Sequence, residues 1–201
     1  MGSVAAQAQV SEEDRLRAGW YALLAQLLSR EPGDRLLEML RGLEGDDSEL
    51  GKGIQALAAA ARGTTVESAR EEHFNLFTGV GQGELLPYTS YYLTGFLNEK
   101  PLARLRGDMA RLRIARADDV KEPEDHIAAL CEMMAGLITG SFGAPADLAE
   151  QRHFFDTHIG CWAPRFFEDL QAAQSAVLYM PVGTIGRLFL AVEAEAFDMA
   201  A

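Results

Sequence analysis

Apolar residues recur at three- and four-residue steps along most of the chain, and nowhere alternate with polar ones for more than a few positions. That period predicts helices rather than strands. Ser11 with acids behind it opens a first helix, whose stripe is Leu16, Trp20, Leu23, Leu24, Leu27 and Leu28 and whose stop is Glu31-Pro32-Gly33. A second helix covers Asp34–Arg41, and the polar run "GLEGDDSELGKG" reads as a loop. Ile54, Leu57, Ala58 and Ala61 mark a short Ala-rich helix ending at Gly63, and Thr65 starts another through Val66, Ala69, His73, Leu76 and Phe77 into "TGVGQGELLP". After Pro87, "YTSYYLTGFLNE" is open between extended chain and helix. Pro101 opens a helix to about Leu112, and Arg113–Glu122 is a polar connector available as a hinge.

The stretch "KEPEDHIAALCEMMAGLI" follows. Pro123 suits the first helical position, where its missing N–H costs nothing, and Glu124 and Asp125 then fall in the first turn, which favours carboxylates. Ile127, Leu130, Cys131, Met134, Leu137 and Ile138 define the buried face behind them. Capping so read explains the proline and the acids but not His126. Further on, Leu148, Phe155 and Ile159 share a face of a helix over Asp147–Ile159, and Pro164 opens one with Phe166, Phe167 and Leu170. After "YMPVG" a last helix turns Ile185, Leu188, Phe189 and Val192 inward. The expectation is an all-α, single-domain bundle of about nine to eleven helices over residues 11–201, behind a flexible lead-in at 1–10.

The composition narrows the partners. The chain of 201 residues suits one buried core. Its 18 basic and 30 acidic side chains give a net charge of −12, although seven of the cations lie between Lys100 and Lys121. Such a field repels nucleic acid and anionic lipid and draws cationic peptides, or else simply maintains solubility. There is no apolar run of membrane-spanning length and no basic-then-apolar secretory signal at the start, so the expected location is the cytoplasm without stable membrane insertion. Cys131 and Cys161 fit no CxxC pattern, and two buried reduced thiols are expected.

Enzyme chemistry finds little support. A di-metal oxidase on a helical bundle needs two Glu-x-x-His motifs plus two further carboxylates; Glu150–His153 supplies one motif, while Glu122 and His126 are four apart and Glu71 and His73 two. "TGVGQGE" lacks the Lys-Ser/Thr of a phosphate loop. Neither cysteine has a recognisable base, and no GxSxG occurs. The arginines at 104, 106, 111 and 113 read as a solvated helix face balanced by Asp108 and neighbouring acids. His73 reads as a hydrogen-bonded core imidazole, and His153 and His158 are open between core and surface. No active site assembles, which favours a binding protein.

Glu122-Pro123-x-Asp125-His126 with Leu130 and Met133 or Met134 resembles the signature of the TorD/DmsD/NarJ chaperones, cytoplasmic maturation factors for molybdenum oxidoreductases. "NLFTG" followed by "PYTSYYL", His158-x-x-x-Trp162-x-x-x-Phe166, and Leu178-Tyr179 are similar to further family segments in the same order. The resemblance, over residues from about 70 to 195, implies an all-helical chaperone, not an enzyme, with no cofactor or metal of its own. It implies binding of the twin-arginine leader and apo form of a molybdopterin oxidoreductase during cofactor insertion, before export. Clients of the formate dehydrogenase, nitrate reductase, or sulfoxide/N-oxide reductase type are all open, as is monomer against domain-swapped dimer. A scaffold without leader specificity is the other non-enzymatic reading. Leader-binding positions carried over by motif are His73, Phe77, Tyr88, Ser90, Tyr91, Pro123, Asp125 and His126, with Glu122 beside them. His73 stands where the family usually has an aromatic ring, and Tyr88 where some members have tryptophan.

Overall fold

A computed structural model describes residues 10–200; the expected lead-in lies outside them except for Val10. The chain runs α1 (Glu12–Ser29), α2 (Asp34–Arg41), α3 (Glu49–Arg62), α4 (Val66–Phe77), α5 (Thr89–Thr94), α6 (Lys100–Leu112), α7 (Ile127–Thr139), α8 (Leu148–Phe154), a π-helical turn (Phe155–Gly160), α9 (Ala163–Ala172) and α10 (Tyr179–Met199). The described chain is all-α, with one isolated backbone bridge between Tyr88 and His126.

Side chains and glycines cap the helices much as the sequence suggests. Ser11, Ser48, Thr65 and Asp147 each accept a hydrogen bond from an amide in the first turn behind them. Gly63 follows the end of α3, and Gly140, at φ 78, ends α7 in the left-handed region that suits glycine. Where the sequence pattern and the structure part, tertiary packing is the reason. The buried face of α1 is Ala18, Tyr21, Leu24, Ala25, Leu27 and Leu28, whereas Leu16 is 65% exposed, because small residues let α7 approach. The run read as a loop before Ile54 already becomes α3 at Glu49, capped by Ser48. Helix α10 begins at Tyr179 and so contains the "YMPVG" run, while Val192 and Leu148 are exposed. Cys131 is buried as expected, but Cys161 is exposed.

Helix α7 is the centre of the bundle: nine of its thirteen residues are buried, so it is apolar nearly all round and packs on α1, α8 and the π turn. Helices α9 and α10 meet at close range through Gly183. A Cβ there would lie 2.5 Å from the Gln171 amide nitrogen, so only glycine allows the approach.

Two buried carboxylates complete this core. Glu72 of α4 accepts the amides of Val177 (2.7 Å), Leu178 (3.1 Å) and Tyr179 (2.8 Å), and so caps the start of α10 from another helix. Glu193 of α10, 2% exposed, accepts two hydrogen bonds from Arg17 at 2.7 and 2.9 Å and one from the Tyr21 hydroxyl at 3.1 Å.

Candidate functional site

The start of α5 and the start of α7 are stitched together. The Thr89 amide donates to the Asp125 carbonyl at 3.0 Å, the Ile127 amide to the Pro87 carbonyl at 2.9 Å, and the Ser90 amide to the Asp125 carboxylate at 2.8 Å. The expected placement of Pro123, Glu124 and Asp125 inside the first turn is therefore incorrect. Helix α7 begins at Ile127; Pro123–His126 form a turn, the His126 amide donating to the Pro123 carbonyl at 3.2 Å, and His126 itself is extended and bridges to Tyr88. His126 is the cap: its Nδ1 accepts the Ala128 amide at 3.1 Å, which places the ring proton on Nε2. Asp125, 1% exposed, caps α5 instead of α7.

The two neighbours of Asp125 complete the cluster. The Tyr88 hydroxyl donates to the Glu122 carboxylate, and the Tyr88 ring meets the His126 ring edge-on at 5.1 Å. Burial and the Glu122 carboxylate raise the Tyr88 phenol, so it remains a donor. Burial drives His126 down to about 4 against the pull of Asp125, with His73 close enough to oppose protonation as well. The imidazole is neutral near pH 7 and is not a cation in the cleft.

Of the nine sequence-predicted residues, the structure brings Tyr88, Ser90, Glu122, Pro123, Asp125 and His126 together. His73 and Phe77 form an adjoining aromatic group, with ring centroids 5.0 Å apart and with Tyr179 at 6.0 and 5.5 Å from them respectively. His73 is half-buried rather than a core residue: the Leu28 backbone hydrogen-bonds the ring, while its Nε2 is enclosed without a partner. Tyr91 points outward from α5 at 36% exposure, and Leu93, Phe96 and Leu97 continue an exposed apolar edge.

Two arginines join the site through Glu124. Of the arginine group on α6, Arg111 pairs with Asp108 as expected, while Arg106 is balanced by another acid: its Nε and Nη2 both donate to Glu124 Oε2, at 3.1 and 2.9 Å. Arg116, in the connector, lies 3.7 Å from Glu124 Oε1. Only fold geometry carries that signal, since the partners are eighteen and eight positions apart. Burial opposes ionisation of Glu124, but the Arg106 hydrogen bonds outweigh it and hold the carboxyl below its usual range. Beside Glu122 and Pro123, and roofed by the connector, is a mostly apolar cavity of about 240 Å³.

The metal-site residues considered earlier are engaged elsewhere. Glu150 pairs with Arg111, and His158, a core residue, contacts Asp108 at 2.8 Å while His153 is exposed. Among the described residues no group of three or more His, Cys, Asp or Glu is placed to hold an ion, and no helix is long and apolar enough to cross a membrane.

The structure is thus a small all-helical body with a polar seam between two helix starts. The same fold occurs in a crystal structure described as a redox enzyme maturation protein from Archaeoglobus fulgidus, with a TM-score of 0.56 and 18% identity over 94% of this chain and 99% of that one. The nitrate reductase delta subunit family matches residues 43–168. The chaperone protein TorD of Vibrio atlanticus is 30% identical over 174 residues, 77% of this chain and 80% of the relative. That of Vibrio parahaemolyticus is 22% identical over 198 residues, 88% and 92% of the two. The chain belongs to the nitrate reductase delta subunit family, the TorD/NarJ chaperones, and that family is one of chaperones rather than enzymes.

Proposed function

We propose that the protein is a cytoplasmic maturation chaperone that binds the twin-arginine leader and the apo form of a molybdopterin oxidoreductase until its cofactor is inserted, before export. The client is of the formate dehydrogenase, nitrate reductase or sulfoxide/N-oxide reductase type. The seam between α5 and α7 is the leader site.

One observation carries this reading: Glu122, Tyr88 and His126 form a polar cluster at the start of α5, and that short helix and the turn after it carry the exposed apolar side chains Tyr91, Leu93, Phe96 and Leu97. A twin-arginine leader presents guanidinium groups followed by an apolar segment, and both halves of that ligand have a counterpart here. The carboxylates divide the work. Asp125 is buried and spent on the Ser90 amide, so it positions α5, whereas Glu122 is exposed and faces the incoming cation. The net charge of −12 accelerates encounter more than it deepens affinity.

Calorimetry with a leader peptide of the molybdoenzyme encoded beside this protein tests the reading. Binding in the micromolar range or tighter is expected, with association slowed by added salt and with much weaker binding of the twin-lysine peptide. A folded sample giving no heat with such leaders overturns it. Equal binding of the mature enzyme after leader deletion supports a scaffold without leader specificity instead.

A further inference from the structure

The polar connector between α6 and α7 contains the two features just assigned to the leader. It leaves α6 through Arg113, a non-glycine residue at φ 59. The next residue, Ile114, turns inward to 7% exposure and is held by its amide to the Met109 carbonyl at 2.8 Å. Two positions later Arg116 extends over the rim, 40% exposed, with its Nη1 3.7 Å from Glu124 Oε1 and 3.5 Å from the Glu122 carbonyl. An apolar anchor beside an arginine, laid against carboxylates, is a leader-like arrangement formed by the chain itself.

The two oxygens of Glu124 are treated unequally. Oε2 takes both Arg106 hydrogen bonds at ordinary lengths, while Oε1 has Arg116 only beyond hydrogen-bonding range. The Glu124 side chain is 10% exposed and already takes both Arg106 hydrogen bonds, so Arg116 is a second and looser cation on it, at a separation that a better-placed guanidinium improves on. Directly below lies the 240 Å³ cavity, lined by Met109, Ile114, Val120, Ala129, Met133 and Phe142 among others. Glu122 and Pro123 belong both to this cavity and to the seam with α5, so a peptide lying along the seam reaches the cavity without a break.

We propose that Arg116 is a built-in placeholder for a client arginine: the leader's guanidinium displaces it from Glu124 Oε1 and the Glu122 carbonyl, and the apolar residue behind that arginine enters the cavity under the connector. This rests on the leader-binding reading above and adds to it a guanidinium subsite, an apolar subsite and an internal competitor. The placeholder adds a second cation to Glu124 beside Arg106 in the empty protein, yet at 3.7 Å it is held too loosely to resist exchange. It also selects against peptides without arginine, because they remove a cation from Glu124 and return none.

The test is titration of a synthetic leader peptide, two arginines followed by an apolar segment, against the full chain and three variants. Arg116→Ala removes the competitor and tightens binding about two- to fivefold, the range set by an exposed ion pair. Arg116→Lys retains a cation at the rim and stays between the two. Ala129→Leu fills the cavity from its α7 wall while leaving Arg116 in place, and weakens binding by roughly threefold or more. If the wild-type protein binds the peptide but Arg116→Ala binds it equally or more weakly and Ala129→Leu leaves affinity unchanged, the placeholder is refuted while leader binding stands. If the wild-type protein does not bind the peptide, both readings fall.

Discussion

The two halves of this molecule hold themselves together by different means. Around α1, α4, α9 and α10, buried charges are saturated: Glu193 has Arg17 and Tyr21, Glu72 has three consecutive amides, and aromatic rings such as Phe166 and Phe167 pack between them at 5.1 Å. Around α5, α6 and the connector, the ties are mostly polar and lie near the surface, and less apolar surface is buried. Helix α5 buries only Thr89 and Ser90, and the Tyr92 ring on Trp162 at 5.1 Å and its hydroxyl on Asp169 at 3.0 Å tie it to α9. The first half is a platform, and the second opens at low cost, which a surface that exchanges a peptide requires.

Removing a partner from the platform should give the largest effect. Glu193→Ala leaves Arg17 Nε and Nη2 and the Tyr21 hydroxyl without their acceptor; because Asp14 still pairs Arg17 Nη1, the cost is about 3 kcal/mol, the lower end for a broken buried pair, read as a lower urea midpoint. Leader affinity of the folded fraction should not change. A loss below about 1 kcal/mol would mean that this half is no firmer than the other.

Acid should act next, and on the seam. Unfolded His126 takes up its proton near 6.5, while the folded residue resists to about 4. The stability it contributes is therefore complete above pH 6.5 and is lost as pH falls from 6.5 towards 4. By pH 5 that loss is about 2 kcal/mol. His73 and His158, also shifted down by burial, act in the same direction. Urea midpoints at pH 7.5 and 5 measure the slope, and His126→Asn, which keeps a cap acceptor but does not titrate, should flatten it.

How much of this is legible in the sequence depends on the range of each interaction. Ser11, Thr65, Asp147 and Gly63 act within four residues, and local pattern places them correctly. The buried face of α7 is equally readable, since six apolar residues at helical spacing leave one orientation. Long-range partners are not readable. Glu72 looks like any solvated acid on α4, because its three amides lie more than a hundred positions away. The proline and acids before Ile127 match a helix start by composition, yet the chain uses them to pair with Tyr88–Ser90, 35 residues earlier. Motif resemblance brings the candidate residues together on paper; it does not separate the buried Asp125 from the exposed Glu122, which only packing decides.

Asp125→Ala probes the tether between the halves. It leaves the Ser90 amide without its acceptor and costs about 1–2 kcal/mol, the range of a lost cap. Because α5 shares few contacts with the platform, that loss should be local: hydrogen exchange of the α5 amides quickens while those of α7 and α10 hold. Uniform loss of protection across the chain would show that the two halves unfold as one unit and would end the distinction between them.

Glu122→Gln gives the smallest change in stability and the sharpest functional one. The residue is exposed and its partner is the Tyr88 hydroxyl, which a glutamine oxygen still accepts, so the urea midpoint should move by no more than about 0.5 kcal/mol. The charge is lost, however, and a rim charge acts mainly on encounter. Leader association should slow about threefold to tenfold and depend less steeply on salt, with dissociation changing less. Stopped-flow fluorescence at two ionic strengths separates the two rates. A variant that associates at the wild-type rate, with the wild-type salt dependence, moves the arginine's landing point away from Glu122. It leaves the buried Asp125 as a fold residue with no exposed carboxylate acting beside it.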